Sequence, residues 1–308
     1  MSASFRAAIA YSNSTRESAH SDTDPLSPGL HSFSTGYNKL TYTIFGTGPS
    51  LVVCQVPGWG IGPSYISNGL APLHGSFKIL YFTPRGTPPS SRPLDALEMS
   101  SKHMVEDLEI LRQYLELGSM LLLGHSNGGS IVLGYAQQYP SHVEKLVLID
   151  HELQGFDDSA TYIEFAMKRK DDHIYGTALE RLQSFKADTN EEMQERLNDI
   201  LPFYFANPTE SVPKMLETME DMPSSWALNH QRAADRERPT YLVDDLNKVE
   251  AKTLIVVGRD DPFCSVKAAE KAHAGMTTSE LVILEDCGHF AWIENRECLD
   301  VVSRFLSE

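Results

Sequence analysis

"LLLGHSNGGSIVLGYAQQYP", residues 121–140, decides the reading of this chain. Three leucines run into Gly124-His125-Ser126-Asn127-Gly128-Gly129, after which apolar residues recur at helical spacing. A strand apolar on both faces, the kind found in parallel sheets, therefore gives way at once to a helix, with one serine at the turn. Glycine belongs where the backbone needs φ > 0 or where another element comes too close for a Cβ. Strand, G-x-S-x-G, helix is the arrangement that lifts a serine Oγ clear of a sheet.

A serine hydroxyl is a weak nucleophile unless a base takes its proton and a third group orients that base. On such a scaffold the chain order is Ser, then Asp or Glu, then His. Downstream, the strand "TLIVVG" ends in Gly258-Arg259-Asp260-Asp261-Pro262, and "LVILED" leads into Cys287-Gly288-His289-Phe290. Both follow strands at their C-terminal ends, where an open parallel sheet gathers its ligands. Ser126, Asp261 and His289 fit that order.

Around the elbow the chain alternates strand and helix. "KLTYTIFG", "SLVVCQVPG" and "FKILYFT" read as strands, and Met104, Leu108, Leu111 and Leu115 mark a helix after Ser100. Beyond residue 139 come strand "EKLVLID" and, much later, strand "KTLIVVG", a helix near 265–275, strand "ELVILED" and a last helix from about 292. The fold class is α/β, a mostly parallel sheet flanked by helices. Residues 151–248 break the rhythm with "ATYIEFAMKRK", "EEMQERLNDILPFYF" and "SVPKMLETMED", and are expected to form a helical cap over a core of 29–150 and 249–308. Residues 1–28 read as a flexible extension.

The chain of 308 residues carries 26 basic and 42 acidic side chains, a net charge of -16, which argues against nucleic acid and anionic membrane surfaces as partners. No apolar run approaches the ~18–20 residues that cross a bilayer, and the start lacks the apolar core of a secretory signal. A cytoplasmic location is expected. Cys54, Cys264, Cys287 and Cys298 show neither C-x-x-C nor zinc-finger spacing, so no disulfide, metal or cofactor is inferred.

With G-H-S-N-G-G at the elbow, G-x-x-D-x at 258–262 and G-H-F at 288–290, the chain resembles the α/β-hydrolase superfamily from about residue 30 onward. "GHSNGG" together with "LPFYFANP" is most similar to proline-iminopeptidase-like hydrolases. The resemblance implies Ser126 as nucleophile, His289 as general base and acid, and Asp261 as the orienting carboxylate. Family spacing puts the acid three residues after Gly258, which selects Asp261 over Asp260. Some relatives carry the acid after the strand that follows the elbow, which makes Asp150 the alternative. An oxyanion hole is implied at the N–H of Asn127 and, from the loop in "VVCQVPGWGIGPSY", at the N–H of Trp59. Many relatives have His-Gly there; this chain has Pro57-Gly58.

The expected function is a serine hydrolase that cleaves an ester, lactone or amide through an acyl-enzyme. A proline-iminopeptidase-like aminopeptidase is the nearest alternative, and carbon–carbon bond hydrolysis uses the same scaffold. A ligand receptor that keeps the triad is the reading from another class. Ser126 stands where epoxide hydrolases and haloalkane dehalogenases of this fold carry aspartate, which argues against those chemistries. The aromatic residues Tyr162, Phe165, Tyr175, Phe203, Tyr204, Phe205 and Trp226 point to a small-molecule substrate with apolar surface. Residues 151–250 hold 21 acidic and 11 basic side chains, the pattern of solvated helix faces.

Overall fold

A computed structural model describes residues 24–183 and 187–308. The extension expected at 1–28 lies outside the described residues as far as residue 23. Eight strands form one sheet: β1 (Gly29–Thr35), β2 (Asn38–Phe45), β3 (Ser50–Gln55), β4 (Phe77–Thr83), β5 (Met120–His125), β6 (Val143–Ile149), β7 (Lys252–Gly258) and β8 (Ser279–Leu284). Their order is β1-β2-β4-β3-β5-β6-β7-β8. β1 and β2 pair antiparallel with each other and β2 with β4, while every pairing from β4 to β8 is parallel.

The central strands are apolar on both faces because both are covered. Val53, Leu122, Leu146 and Leu148 pack beneath the helices Ser101–Tyr114, Asn127–Gln138 and Val266–Gly275. Their chain neighbours Cys54, Leu123, Val147 and Ile149 face Ser64–Gly69 and Glu297–Ser307 on the other side, as the two-residue period of a strand requires. The sequence reading omits β1. Its pairing partner is present, but only Phe33 of "GLHSFST" is buried, so an edge strand without an apolar face leaves no alternation to detect.

Between β6 and β7 the described residues hold five α-helices and no strand: Ser159–Arg169, His173–Gln183, Asn190–Ile200, Pro208–Thr218 and Ser225–Glu237. The second and fifth are additions to the sequence reading, and "LPFY", read as a continuation of a helix, is a 3₁₀ turn over Leu201–Tyr204. Proline at position 202 supplies no N–H for the preceding α-helix to extend through. Arg85, in the loop after β4, donates to both oxygens of Asp107 at 2.7 Å and to the carbonyl of Glu98, fixing that loop to helix Ser101–Tyr114.

The glycines of the elbow are required by contact. A Cβ on Gly124 would lie 2.5 Å from the carbonyl oxygen of Gly128, and one on Gly128 would lie 2.3 Å from the carbonyl oxygen of Gln55. Neither backbone atom can swing aside as a side chain does. Gly128→Ala should therefore lower unfolding free energy by about 1–3 kcal/mol, the usual penalty of overpacking, measured by urea denaturation. An unchanged midpoint would show that the strand and helix are not pressed together as described.

Candidate active site

Ser126 sits between β5 and helix Asn127–Gln138 with φ 53° and ψ -126°. A non-glycine residue in this region is strained, and such strain is stored where surrounding contacts over-determine it. Here the Ser126 N–H donates to the carbonyl of Ile149 at 3.1 Å, and its carbonyl accepts from Glu152 N–H at 3.1 Å and Ser130 N–H at 3.2 Å. β6 thus clamps the turn from beside it. The Ser126 side chain projects into a cavity of about 210 Å³ whose wall also includes His289.

His289 follows β8, on a loop held from two directions. Its N–H donates to the carbonyl of Tyr204 at 2.8 Å, and the Gly288 N–H donates to Glu294 at 2.7 Å. Its own carbonyl meets Nε2 of His125 at 2.8 Å. His125 is fully enclosed, and burial first and then the neighbouring imidazole of His289 hold its pKa well below the usual histidine value. Neutral His125 donates from Nε2 to that carbonyl and accepts at Nδ1 from the Tyr65 hydroxyl, 3.1 Å away.

The Nδ1 of His289 lies 2.7 Å from Oδ2 of Asp261. Asp261 follows β7, and its other oxygen accepts from the N–H groups of Phe263 at 2.8 Å and Cys264 at 3.1 Å. With the Asp261 oxygens accepting on both sides, Nδ1 is the donor to Asp261, and the His289 ring lines the same cavity as Ser126. Asp260 points elsewhere and meets Arg169 at 3.2 Å.

Asp150 occupies the end of the adjacent strand, β6, and does not reach the imidazole through a hydrogen bond. It is fully buried with φ 42°; Oδ1 accepts from Gly258 N–H at 2.8 Å, and Oδ2 has no hydrogen-bond partner. Burial, and after it the charge of Asp261, pushes its carboxyl well above the usual range. Asp150→Asn should keep activity within about threefold of wild type, since the amide oxygen still accepts from Gly258 N–H and no hydrogen bond to the imidazole is lost. A drop comparable to loss of a triad member, in kinetics with any turned-over ester, would return the role to Asp150.

The two backbone donors expected for an oxyanion are the N–H groups of Asn127 and Trp59. Among the described residues neither the Asn127 nor the Trp59 N–H has an acceptor. Asn127 begins its helix, where N–H groups are open and the helix dipole favours negative charge. Its side chain, which the sequence reading assigned nothing, accepts from Gly58 N–H at 3.0 Å and donates to Glu152 at 3.0 Å.

The rest of the cavity is apolar, walled by Tyr65, Leu197, Leu201, Met215, Met219 and Phe290 among others, with Glu152 at its edge. Trp59, Glu152 and Phe263 also line a wider, more polar chamber of about 700 Å³ that includes Asp158, Arg232 and Asp235. Of the seven aromatic residues singled out between β6 and β7, Tyr204 borders the serine cavity and Tyr162 the wider chamber. Phe165, Tyr175 and Phe203 pack with one another instead. Glu152 and Gln231 went unremarked in the sequence. Glu152 follows two residues after a candidate acid, but Gln231 carries no local signal at all.

Asp261, Cys264 and His289 bring ligand-type atoms within 4.8 Å of one another. Two of these are already committed to each other by the 2.7 Å hydrogen bond. All four cysteines are buried, and burial first pushes the thiol of Cys264 well above its ordinary pKa.

His151 adds a measurable consequence for stability. It is buried, its Nε2 has no partner, and burial lowers its pKa from 6.5 to about 4. The unfolded chain binds this proton first, so the native state is favoured fully above pH 6.5 and loses stability as pH falls toward about 4. That interval corresponds to about 3 kcal/mol. His151→Asn should flatten the pH dependence of urea unfolding in this window by about one proton, and an unaltered slope would contradict the buried neutral ring.

A mostly parallel eight-stranded sheet, a strained serine at a strand-to-helix turn and a histidine–carboxylate pair at neighbouring strand ends define the alpha/beta hydrolase class. The chain belongs to the alpha/beta hydrolase fold family, whose model matches residues 52–296. It is 26% identical over 287 residues to the proline iminopeptidase of Saccharolobus solfataricus, covering 88% of this chain and 89% of that protein. It is 24% identical over 292 residues to the 2-hydroxy-6-oxononadienedioate/2-hydroxy-6-oxononatrienedioate hydrolase of Escherichia coli K12, covering 92% and 84%. Among solved structures, an alpha/beta fold family hydrolase from Bacillus anthracis superposes with a TM-score of 0.71 at 17% identity, covering 90% of this chain and 98% of that one. Family membership marks the chain as a hydrolase acting on a small molecule. No helix among the described residues is long and apolar enough to cross a membrane.

Proposed function

We propose that the protein is a cofactor-independent serine hydrolase that forms an acyl-enzyme on Ser126 from an ester, lactone or amide with an apolar acyl group. The observation that carries this reading is the 2.7 Å contact between His289 Nδ1 and Asp261 Oδ2, on a histidine that shares a cavity wall with Ser126. Nε2 of His289 takes the Ser126 proton as Oγ attacks the carbonyl carbon. The Asn127 and Trp59 N–H groups receive the developing alkoxide, each donor worth on the order of 10²–10³ in rate. The imidazolium then protonates the leaving group, and a water activated by the same nitrogen releases the acid.

The helical segment 151–248 acts as a lid. Leu197, Leu201, Tyr204, Met215 and Met219 come from it, and they roof the small cavity and exclude water from the acyl-enzyme. The small apolar cavity takes the acyl group, and the wider chamber takes the leaving group.

An aminopeptidase reading has one observation of its own: the Glu152 carboxyl, one oxygen of which accepts from Asn127 Nδ2, lines both cavities, where a substrate ammonium would meet it. Paired assays separate the two. Faster turnover of a prolyl-arylamide than of short acyl esters, abolished by acetylating the amine, establishes the aminopeptidase. Preference for neutral esters or lactones establishes the esterase.

A further inference from the structure

Trp59 N–H is useful only if the loop that carries it is held at the correct height above Ser126. The peptide group before it is held by one atom. Asn127 Oδ1 accepts from Gly58 N–H at 3.0 Å and, with its second lone pair, from Nε2 of Gln231 at 3.1 Å. Asn127 Nδ2 donates to Glu152 Oε2 at 3.0 Å. These contacts admit a single orientation of the Asn127 amide, because reversal would set an NH₂ against Gly58 N–H and an oxygen against the Glu152 carboxyl.

Gln231 belongs to helix Ser225–Glu237, within the segment between β6 and β7, and it is fully buried. Its orientation is equally constrained. Ser101 Oγ gives its hydrogen to Asp235 Oδ2 at 2.8 Å, so it accepts from Gln231 Nε2 at 3.2 Å. Both hydrogens of the Gln231 amide are thereby used, while Oε1 is buried with no partner. An orphaned buried acceptor is destabilising, and its presence calls for a reason other than stability. The donor face supplies it. A Cβ at Gly58 would fall 2.6 Å from Gln231 Oε1 and 2.5 Å from Met104 Sδ, so the loop presses directly on this side chain.

We propose that Gln231 is a positioning residue, which ties the oxyanion loop to the lid helix through the Asn127 amide and so sets the Trp59 donor. The proposal rests on the serine-hydrolase reading. Gln231 lines neither the serine cavity nor the wider chamber, so its influence passes through Asn127 rather than through substrate. Since the alkoxide exists only beyond the ground state, a misplaced donor lowers kcat and leaves KM nearly unchanged.

Two variants of the full chain test this with a p-nitrophenyl ester. Gln231→Leu should lower kcat about 10- to 100-fold with KM altered by less than about threefold. Gln231→Glu sets a carboxylate against Asn127 Oδ1 when ionised, but a donor when protonated. Its kcat relative to wild type should therefore rise as pH falls from about 8 to 5. The proposal is overturned if Gln231→Leu keeps kcat within about twofold of wild type, or if the Gln231→Glu ratio is flat with pH. If Gln231→Leu does not fold, the Gln231→Glu ratio decides alone, because its change with pH is independent of any constant loss of active protein. Should wild type neither turn over any ester nor be labelled by a fluorophosphonate, the serine-hydrolase reading fails first, and this inference with it.

Discussion

Ser126→Ala should abolish both labelling by a fluorophosphonate and turnover of any substrate the wild type accepts, with kcat reduced on the order of 10⁶-fold. The size follows from what is removed. Without Oγ no acyl-enzyme forms, and the surviving oxyanion donors and binding contacts give only the residual rate over water that such sites retain. The variant should stay folded. Its backbone at φ 53° is anchored by main-chain hydrogen bonds to Ile149, Glu152 and Ser130, none of which involves Oγ. A variant that melts like wild type and still hydrolyses the ester would place the nucleophile elsewhere.

Asp261→Asn should cost on the order of 10⁴ in kcat. The Asp261 carboxylate accepts on Oδ2 from His289 Nδ1 and on Oδ1 from the N–H groups of Phe263 and Cys264. An asparagine keeps one oxygen for the loop amides and so turns its NH₂ toward the imidazole. Nδ1 must then accept, which moves the ring hydrogen to Nε2, where it blocks the proton transfer from Ser126. KM should change little, because Asp261 does not line the cavity that holds Ser126. Retention of most of the rate would mean that another carboxyl orients the histidine, and Asp150 is the one at the neighbouring strand end. Paired with the near-neutral Asp150→Asn, this comparison assigns the acid by function rather than by distance.

The parts of this molecule that were legible in the sequence are those set by local pattern. Apolar runs such as "LLLG" and "KLVLI" read as strands because both faces of the sheet are covered, and the elbow reads from Gly124 and Gly128, whose missing Cβ atoms are demanded by backbone contacts. What escaped depends on partners distant in the chain. β1 buries only Phe33, so nothing in "GLHSFST" announces a strand until β2 lies beside it. Helix Ser225–Glu237 is mostly polar, and its buried positions are the small or polar Ser225, Ala227, Gln231 and Ala234 with a single leucine, Leu228. Its apolar stripe is therefore too thin to see.

The candidate site divides the same way. Ser126 and His289 are marked by their glycine neighbours, and Asp261 by the strand before it. The choice between Asp150 and Asp261 was not local: both cap adjacent strands, and only the course of the loop after β8 decides which carboxylate the imidazole meets. Asn127 was noted for its N–H alone. Its amide became visible as a hub only when Gly58, Glu152 and Gln231, at separations of 69, 25 and 104 residues, came together around it.

The proposed reaction turns on acylation of Ser126 by way of His289. Rapid mixing with a p-nitrophenyl ester, followed by acid quench and mass analysis of the peptide containing residues 121–140, tests it most directly. An acyl adduct on Ser126 is expected, appearing with a burst of nitrophenol and absent in His289→Ala. Steady hydrolysis with an unmodified Ser126 peptide, or an adduct that forms equally fast without the imidazole, would contradict it.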